Sequence, residues 1–142
     1  MTIQSGFPFT PQLSYNPSNN GDTRNPVRPF ANPDFTGPVI LGKPSQWFTP
    51  NAFLPPPANS GFYGNLGRDT LTGPGLATWD FSAFKTTTLY ERLALQFRAE
   101  IFNLLNRANF NNPVNSVSAG GFGAIVSARD PRIGQLALKL NF

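Results

Sequence analysis

The chain ends on the stretch IGQLALKLNF (residues 133–142), and this stretch decides the fold class. Its bulky apolar residues fall on every second position, with polar or small residues between them. A repeat of two places the apolar side chains on one face of a β-strand. Soluble domains usually let their termini fray in water, whereas this pattern runs to a final aromatic residue. It predicts the closing strand of a membrane β-barrel, with an apolar face formed by Leu136, Leu138, Leu140 and Phe142.

Two further strands are predicted upstream, at about residues 76–86 and 93–103, separated by a short polar turn over 87–92. A helix over residues 89–105 has favourable propensities, but it would scatter the apolar side chains around its axis. The strand interpretation is therefore preferred for 93–103. It predicts one lipid-facing and one lumen-facing set of side chains. The lipid-facing set is Leu93, Leu95, Phe97 and Ile101, and the lumen-facing polar set is Gln96, Arg98 and Glu100.

The composition fits a β protein with long loops. Charged residues make up 13% of the 142 residues, about half the usual share. The chain also contains 15 Pro, 13 Gly and 14 Phe. The basic residues are spread along the chain without forming a tract, which argues against nucleic acid as a partner. No apolar run is long enough for a transmembrane helix.

The region 1–75 holds 13 of the 15 prolines and is predicted to be a long extracellular loop region. Prolines at this density leave little room for helices or central strands. A disordered linker is one interpretation. Disordered linkers are usually poor in aromatic residues, so we favour an ordered loop that packs its own rings.

The unequal lengths of the connections predict a direction for each strand. The turn before residue 93 is short, whereas the connection 104–132 is long and rich in Asn and Gly. Barrels of the outer membrane have short periplasmic turns and long extracellular loops. The connection 104–132 is therefore expected to be extracellular. The expected fold is an all-β antiparallel meander of about three to four strands, taken from the end of a large transmembrane barrel with long Pro-, Gly- and Asn-rich loops.

The segment LQFRAEIFNLLN (95–106) resembles a segment of the TonB-dependent outer-membrane receptors, and in particular their Oar-like branch, which is abundant in acidobacteria. Other markers of that branch occur in the same order over about residues 45–142. Each of these motifs is weak alone, and their ordered series is fairly specific. They are GNLGR (64–68), GPG (73–75), WDFS (79–82), ANFNNP (108–113), ARDPR (128–132) and the ending LALKLNF (136–142).

The resemblance implies energy-coupled uptake of a solute through a barrel of about 22 strands with a plugged lumen. A signal peptide, a plug and a segment for contacting TonB are not found in the sequence, so we expect a carboxy-terminal fragment. The implied partners are outer-membrane lipid, the remaining barrel strands and plug, and the barrel-assembly machinery. Contact with TonB is expected only through the missing amino-terminal part. The terminal alternation ending in Phe142 resembles the signal that the assembly machinery reads.

The sequence predicts no catalysis, no metal site and no cofactor. His and Cys are absent, which excludes nucleophilic pairs that depend on them. GGFG (120–123) is expected to be a turn, because it lacks the Lys and the helix of a phosphate-binding loop. The aromatic residues Trp47, Phe48 and Tyr63 are candidate ligand contacts of the loops, although loop packing is the simpler explanation.

Two other functions remain open from the sequence. One is a secreted β-module whose aromatic residues bind carbohydrate. The other is a structural or adhesive surface protein. The surroundings of the apolar strand faces distinguish the secreted module from a membrane protein. A secreted module would bury those faces in a closed protein core.

Overall fold

The structure, a computed structural model, describes residues 1–22, 24 and 27–142. Its regular elements are antiparallel β-strands and one short 3-10 turn, Pro50–Ala52. This confirms the predicted all-β class. In chain order the strands are β1 Thr2–Gln4, β2 Pro8–Phe9, β3 Phe30–Ala31, β4 Ile40–Lys43, β5 Gln46–Phe48, β6 Phe53–Leu54, β7 Leu71–Thr72, β8 Leu76–Thr78, β9 Phe81–Tyr90, β10 Leu93–Phe102 and β11 Ile133–Asn141.

The three long strands form one antiparallel sheet in the order β11-β10-β9. They have 9, 10 and 10 residues respectively, and about 9–11 residues are needed for a tilted strand to cross a bilayer. The ladder between β10 and β11 is unbroken from Ala94 opposite Asn141 to Phe102 opposite Ile133. The predicted meander of strands is therefore present.

The strand predicted over residues 76–86 is in fact two strands. β8 ends at Thr78 and β9 begins at Phe81, with Trp79 and Asp80 between them. The Asp80 carboxylate accepts a hydrogen bond of 2.9 Å from the backbone N–H of Asn103. A side chain thus takes the place of a backbone partner at this point, and the regular ladder stops there.

The turn predicted over residues 87–92 is shorter than expected. β9 continues to Tyr90, so only Glu91 and Arg92 connect it to β10. The prediction treated Thr87 and Thr88 as polar turn formers, but Thr is β-branched and favours strands. A register shift between Leu93 and Ala94 marks a bulge at this end of the hairpin.

The chain divides into two compact units. One unit, here called the strand unit, contains Met1–Gln4, Leu76–Asn109 and Arg129–Phe142. The other, here called the loop unit, contains Ser5–Gly75 and Phe110–Ala128. Most of the predicted 104–132 loop thus folds together with the Pro-rich region.

The loop unit has a core of aromatic rings. Phe48 is completely buried, and its ring centroid lies 5.8 Å from that of Phe9, 5.7 Å from that of Phe53 and 5.0 Å from that of Phe122. The last two contacts are edge-on, an arrangement that aromatic quadrupoles favour. Phe9 and Phe53 come from the Pro-rich region and Phe122 from the later connection, so these rings join the two segments, as expected for an ordered loop that packs its own aromatics.

Gly123 explains how the two segments approach so closely. Its carbonyl accepts a hydrogen bond of 2.6 Å from the Trp47 N–H, and its φ of 89° lies in the left-handed region. A Cβ at this position would lie 2.7 Å from the backbone oxygen of Phe48. Only glycine combines that φ with that approach at little cost.

Candidate functional site

One face of the three-stranded sheet is mainly apolar. In an antiparallel ladder, directly opposed residues share a face. Leu95 lies opposite Leu140, Phe97 opposite Leu138, and Ala99 opposite Leu136. These apolar residues therefore form one continuous surface across β10 and β11. Leu136, Leu138 and Leu140 are exposed on it, at 75%, 70% and 50%.

The other residues predicted to form the apolar faces lie at or near the ends of the strands. Ile101 continues the apolar surface, with Gly134 and Phe81 as its partners on either side. Leu93 begins β10 at the bulge and lies opposite Tyr90. Phe142 follows the end of β11 and is 97% exposed. The structure brings most of these residues onto one face, and their contact with lipid stays a prediction.

The opposite face carries the three polar residues predicted to face a lumen. Gln96 donates a hydrogen bond of 3.3 Å to the Thr86 hydroxyl on β9. Arg98 Nη1 lies 3.7 Å from Glu100 Oε1, and the Gln135 side-chain amide on β11 donates to Glu100 Oε2. The polar face is thus linked across all three strands by side chains. Thr86 and Gln135 take part in these two separate sets of contacts and were not predicted from the sequence.

Two residues of β9 break the separation of the faces. Lys85 lies opposite Phe97 and therefore on the apolar face, whereas Phe84 lies opposite Arg98 on the polar face. Both are exposed. The alternation of Phe81 and Ala83 predicted the apolar face for the first part of β9 only. After Ala83 the apolar residue Phe84 falls on the polar face and the charged residue Lys85 on the apolar face. The apolar surface is therefore most continuous on β10 and β11.

The apolar residues of this sheet do not line a closed core in the described part of the chain. Leu93, Leu95 and Ile101 are partly exposed, and Phe97 is exposed. β9 and β11 are the outer strands of the sheet, each paired only with β10 among the described residues. Exposed edges of this kind pair readily with further strands.

The sequence matches the family described as outer membrane beta barrel domain over residues 1–135. The chain belongs to this family. No curated protein and no solved structure gave a significant match. The family supports a barrel section of an outer-membrane protein and indicates the outer membrane as its location. β9 and β10 lie entirely within the matched residues.

Three Asn residues organise the end of β10 in this barrel domain. Asn103 has a left-handed φ of 51°, which ends the strand, and its buried side-chain amide donates to the Arg107 carbonyl at 3.0 Å. Asn106 Oδ1 accepts from the Arg132 N–H at 3.0 Å. Asn109 Oδ1 accepts from the Ala77 N–H at 2.9 Å. From the sequence, only the richness of residues 104–132 in Asn was recognised, and the spacing of three between these Asn residues is a signal that could have indicated their shared role.

The predicted loop contacts of the barrel domain differ in accessibility. Phe48 has no exposed surface, so its prediction as a ligand contact is wrong: ring packing takes its entire side chain. Trp47 is partly buried, and its indole N–H donates to the Thr72 carbonyl at 2.9 Å. Tyr63 is 56% exposed, and its hydroxyl accepts a hydrogen bond from the Asn20 side-chain amide. Tyr63 alone of the three keeps a largely free ring.

Within residues 1–22, 24 and 27–142, no group of three or more acidic residues is placed to hold a metal ion. Over the same described ranges, no helix is both long and apolar enough to span a membrane.

Proposed function

We propose that the chain forms part of the wall of a TonB-dependent outer-membrane transporter, in which the complete protein takes up a solute with energy supplied through TonB. The chain itself has no catalytic role in this proposal. Its partners are lipid on the apolar face, the remaining strands and the plug on the polar face, and the barrel-assembly machinery during insertion. TonB contacts only the amino-terminal part of the complete receptor.

The two-faced sheet carries the proposal. Lipid-facing and lumen-facing side chains alternate along the strands of outer-membrane barrels. Leu138 on the apolar face and Arg98 on the polar face show this division, and the strands have the length that a bilayer requires. A secreted carbohydrate-binding module would be expected to cover Leu136 and Leu138, which are highly exposed.

The transporter class rests on the resemblance of the motif series to TonB-dependent receptors. The LQFRAEIFNLLN segment (95–106) forms β10 and its Asn-rich end. Its Gln, Arg and Glu residues lie on the polar face, where Gln96 and Glu100 are hydrogen-bonded to the neighbouring strands and Arg98 lies beside Glu100. The motif thus forms the central strand of the sheet, which supports a role in the proposed wall whatever solute is transported.

The connections favour an orientation. Glu91 and Arg92 form a two-residue turn, and the connection from β10 to β11 is long. With short turns on the periplasmic side, β9 runs towards the periplasm, β10 runs outward, and β11 returns. The loop unit is then extracellular.

Single cysteines test the wall, because the chain contains none of its own. Leu138→Cys and Ala137→Cys are introduced separately into the complete receptor in outer-membrane vesicles. A water-soluble maleimide should label Ala137→Cys faster, because position 137 faces the wet lumen and position 138 faces lipid. Equal rates, or faster labelling at position 138, would contradict the proposed wall. Both sites should react alike after denaturation, which controls for intrinsic reactivity.

Crosslinking tests the transporter class separately. A photo-reactive residue placed in TonB should capture the complete receptor in energised cells. Absence of capture, with a wall confirmed by cysteine labelling, would leave an outer-membrane barrel that is not TonB-dependent.

A further inference from the structure

The loop unit contains a partly open cavity of about 290 Å³. An engineered apolar cavity of about 150 Å³ is known to bind benzene, and sites for small ligands usually begin near 300 Å³. The cavity in the loop unit thus has room for one or two fused rings. Its lining comes entirely from the Pro-rich region, between Ala31 and Leu71.

The lining is apolar and aromatic. Phe35 and Phe53 contribute two rings, and Val39, Ile40 and Leu66 contribute aliphatic side chains. No Asp, Glu, Lys or Arg is among the lining residues. A charged ligand would lose its hydration here without gaining a partner charge, at a high cost in free energy. The cavity therefore selects for an uncharged molecule.

The floor of the cavity is part of the packed core of the loop unit. Ala52, Phe53, Leu66 and Leu71 line the cavity and are buried. The Phe53 ring also packs edge-on against Phe48, with 5.7 Å between the centroids. A floor held in this way costs little further ordering when a ligand binds, and such preorganisation favours affinity.

Two polar side chains lie at the cavity, and they differ in whether they already form hydrogen bonds within the protein. The Asn32 amide donates to the Asn51 carbonyl at 2.8 Å and accepts from the Asp34 N–H at 3.1 Å. Thr70 lines the cavity and is exposed, and a Thr hydroxyl can both donate and accept a hydrogen bond. We propose that the loop unit binds a small uncharged aromatic molecule of one or two rings in this cavity, with Thr70 meeting a single polar substituent. This inference concerns the loop unit alone and does not rest on the transporter proposal.

Disulfide tethering tests the site in the full chain refolded in detergent. Thr70→Cys places a thiol at the cavity, and Ser45→Cys places one at an exposed position outside its lining. Each variant is equilibrated with a naphthylmethyl disulfide and a trimethylammonioethyl disulfide in the presence of a reducing thiol. Mass spectrometry then gives the ratio of the two adducts. Because micelles concentrate the naphthyl probe at both positions, the ratio at Ser45→Cys corrects for partitioning.

The naphthyl preference should be about tenfold greater at Thr70→Cys than at Ser45→Cys, as burial of part of a ring system predicts. Adding Ala31→Leu to the Thr70→Cys variant should remove the difference, because Ala31 lines the cavity and is exposed enough to accept a larger side chain. Urea should remove it as well. Equal ratios at the two positions, or a preference that survives the Leu substitution or urea, would overturn the proposal.

Discussion

Leu138 of β11 lies directly opposite Phe97 of β10, and both side chains are exposed on the same face of the sheet. Exposed apolar pairs of this kind are costly in water, at roughly 25 cal/mol for each Å² of apolar surface. On the other face, the neighbouring residue Arg98 lies beside Glu100. The same two strands therefore present one surface suited to lipid and one suited to water.

The first prediction concerns the apolar face. Leu138→Arg should destabilise the complete barrel by about 2–4 kcal/mol, because a charge near the bilayer midplane loses its hydration. Ala137→Arg is the matched control, since position 137 is adjacent in sequence and lies on the polar face. Urea unfolding in lipid vesicles measures both. A larger loss for Ala137→Arg would reverse the assignment of the faces.

The second prediction concerns the last residue. Deleting Phe142 from the complete receptor should lower the amount of assembled barrel, because the alternating terminal strand resembles the signal that the assembly machinery captures by strand addition. Heat-modifiable migration of the receptor in outer-membrane fractions measures assembly. Phe62→Ala serves as the control, because it removes an exposed phenylalanine ring from a loop instead of from the terminal strand. Unchanged assembly without Phe142 would count against this role.

The third prediction concerns the core of the loop unit. Phe48→Ala should lower the free energy of unfolding by about 3–5 kcal/mol, the usual cost of removing a fully buried aromatic ring. Phe62→Ala provides the control here too, because Phe62 is 68% exposed, and surface substitutions usually change stability by no more than about 0.5 kcal/mol. Denaturant titration of the refolded chain in detergent compares the two. Similar losses would show that the ring cluster does not stabilise the unit.

The fourth prediction concerns the Asn-rich end of β10. Asn109 is 2% exposed and accepts the Ala77 N–H, so Asn109→Ala would leave that donor without its partner. The expected loss of stability is about 1–3 kcal/mol. Hydrogen exchange at the Ala77 amide should accelerate in the same variant. Asn51→Ala, at an exposed position, is expected to leave both quantities unchanged, and an unaltered Ala77 exchange rate in Asn109→Ala would refute the proposed contact.

The alternation over 93–103 and 133–142 was sufficient to predict the sheet faces of β10 and β11. A strand period of two is a local property, so it can be identified without knowing the partner strand. The same reasoning failed in β9, where Lys85 and Phe84 take the faces that their chemistry does not predict. Pairing with β10 determines the register there, and pairing is not local.

Loop contacts were predicted less well than strand faces. Trp47 and Phe48 are neighbours in sequence and have similar chemistry, yet Phe48 is completely buried and Trp47 only partly. The Phe48 ring packs against Phe9 and Phe53 of the same region and against Phe122, more than seventy positions later. Which aromatic residue of a Pro-rich region is buried therefore depends on partners that a local pattern does not show.

The sequence by itself determined the antiparallel β class, the apolar and polar faces of the last two long strands, and the resemblance to outer-membrane receptors, because all of these depend on residues close in the chain. Only the tertiary structure decided where β9 begins and ends, which aromatic residues are buried, and that residues 110–128 fold with the Pro-rich region into one unit with a cavity. These features depend on contacts between segments far apart in sequence, such as Gly123 with Trp47, and no local pattern encodes such a contact. The alternating stretch 133–142 predicted its own strand, and β10 fixed the partner and register of that strand.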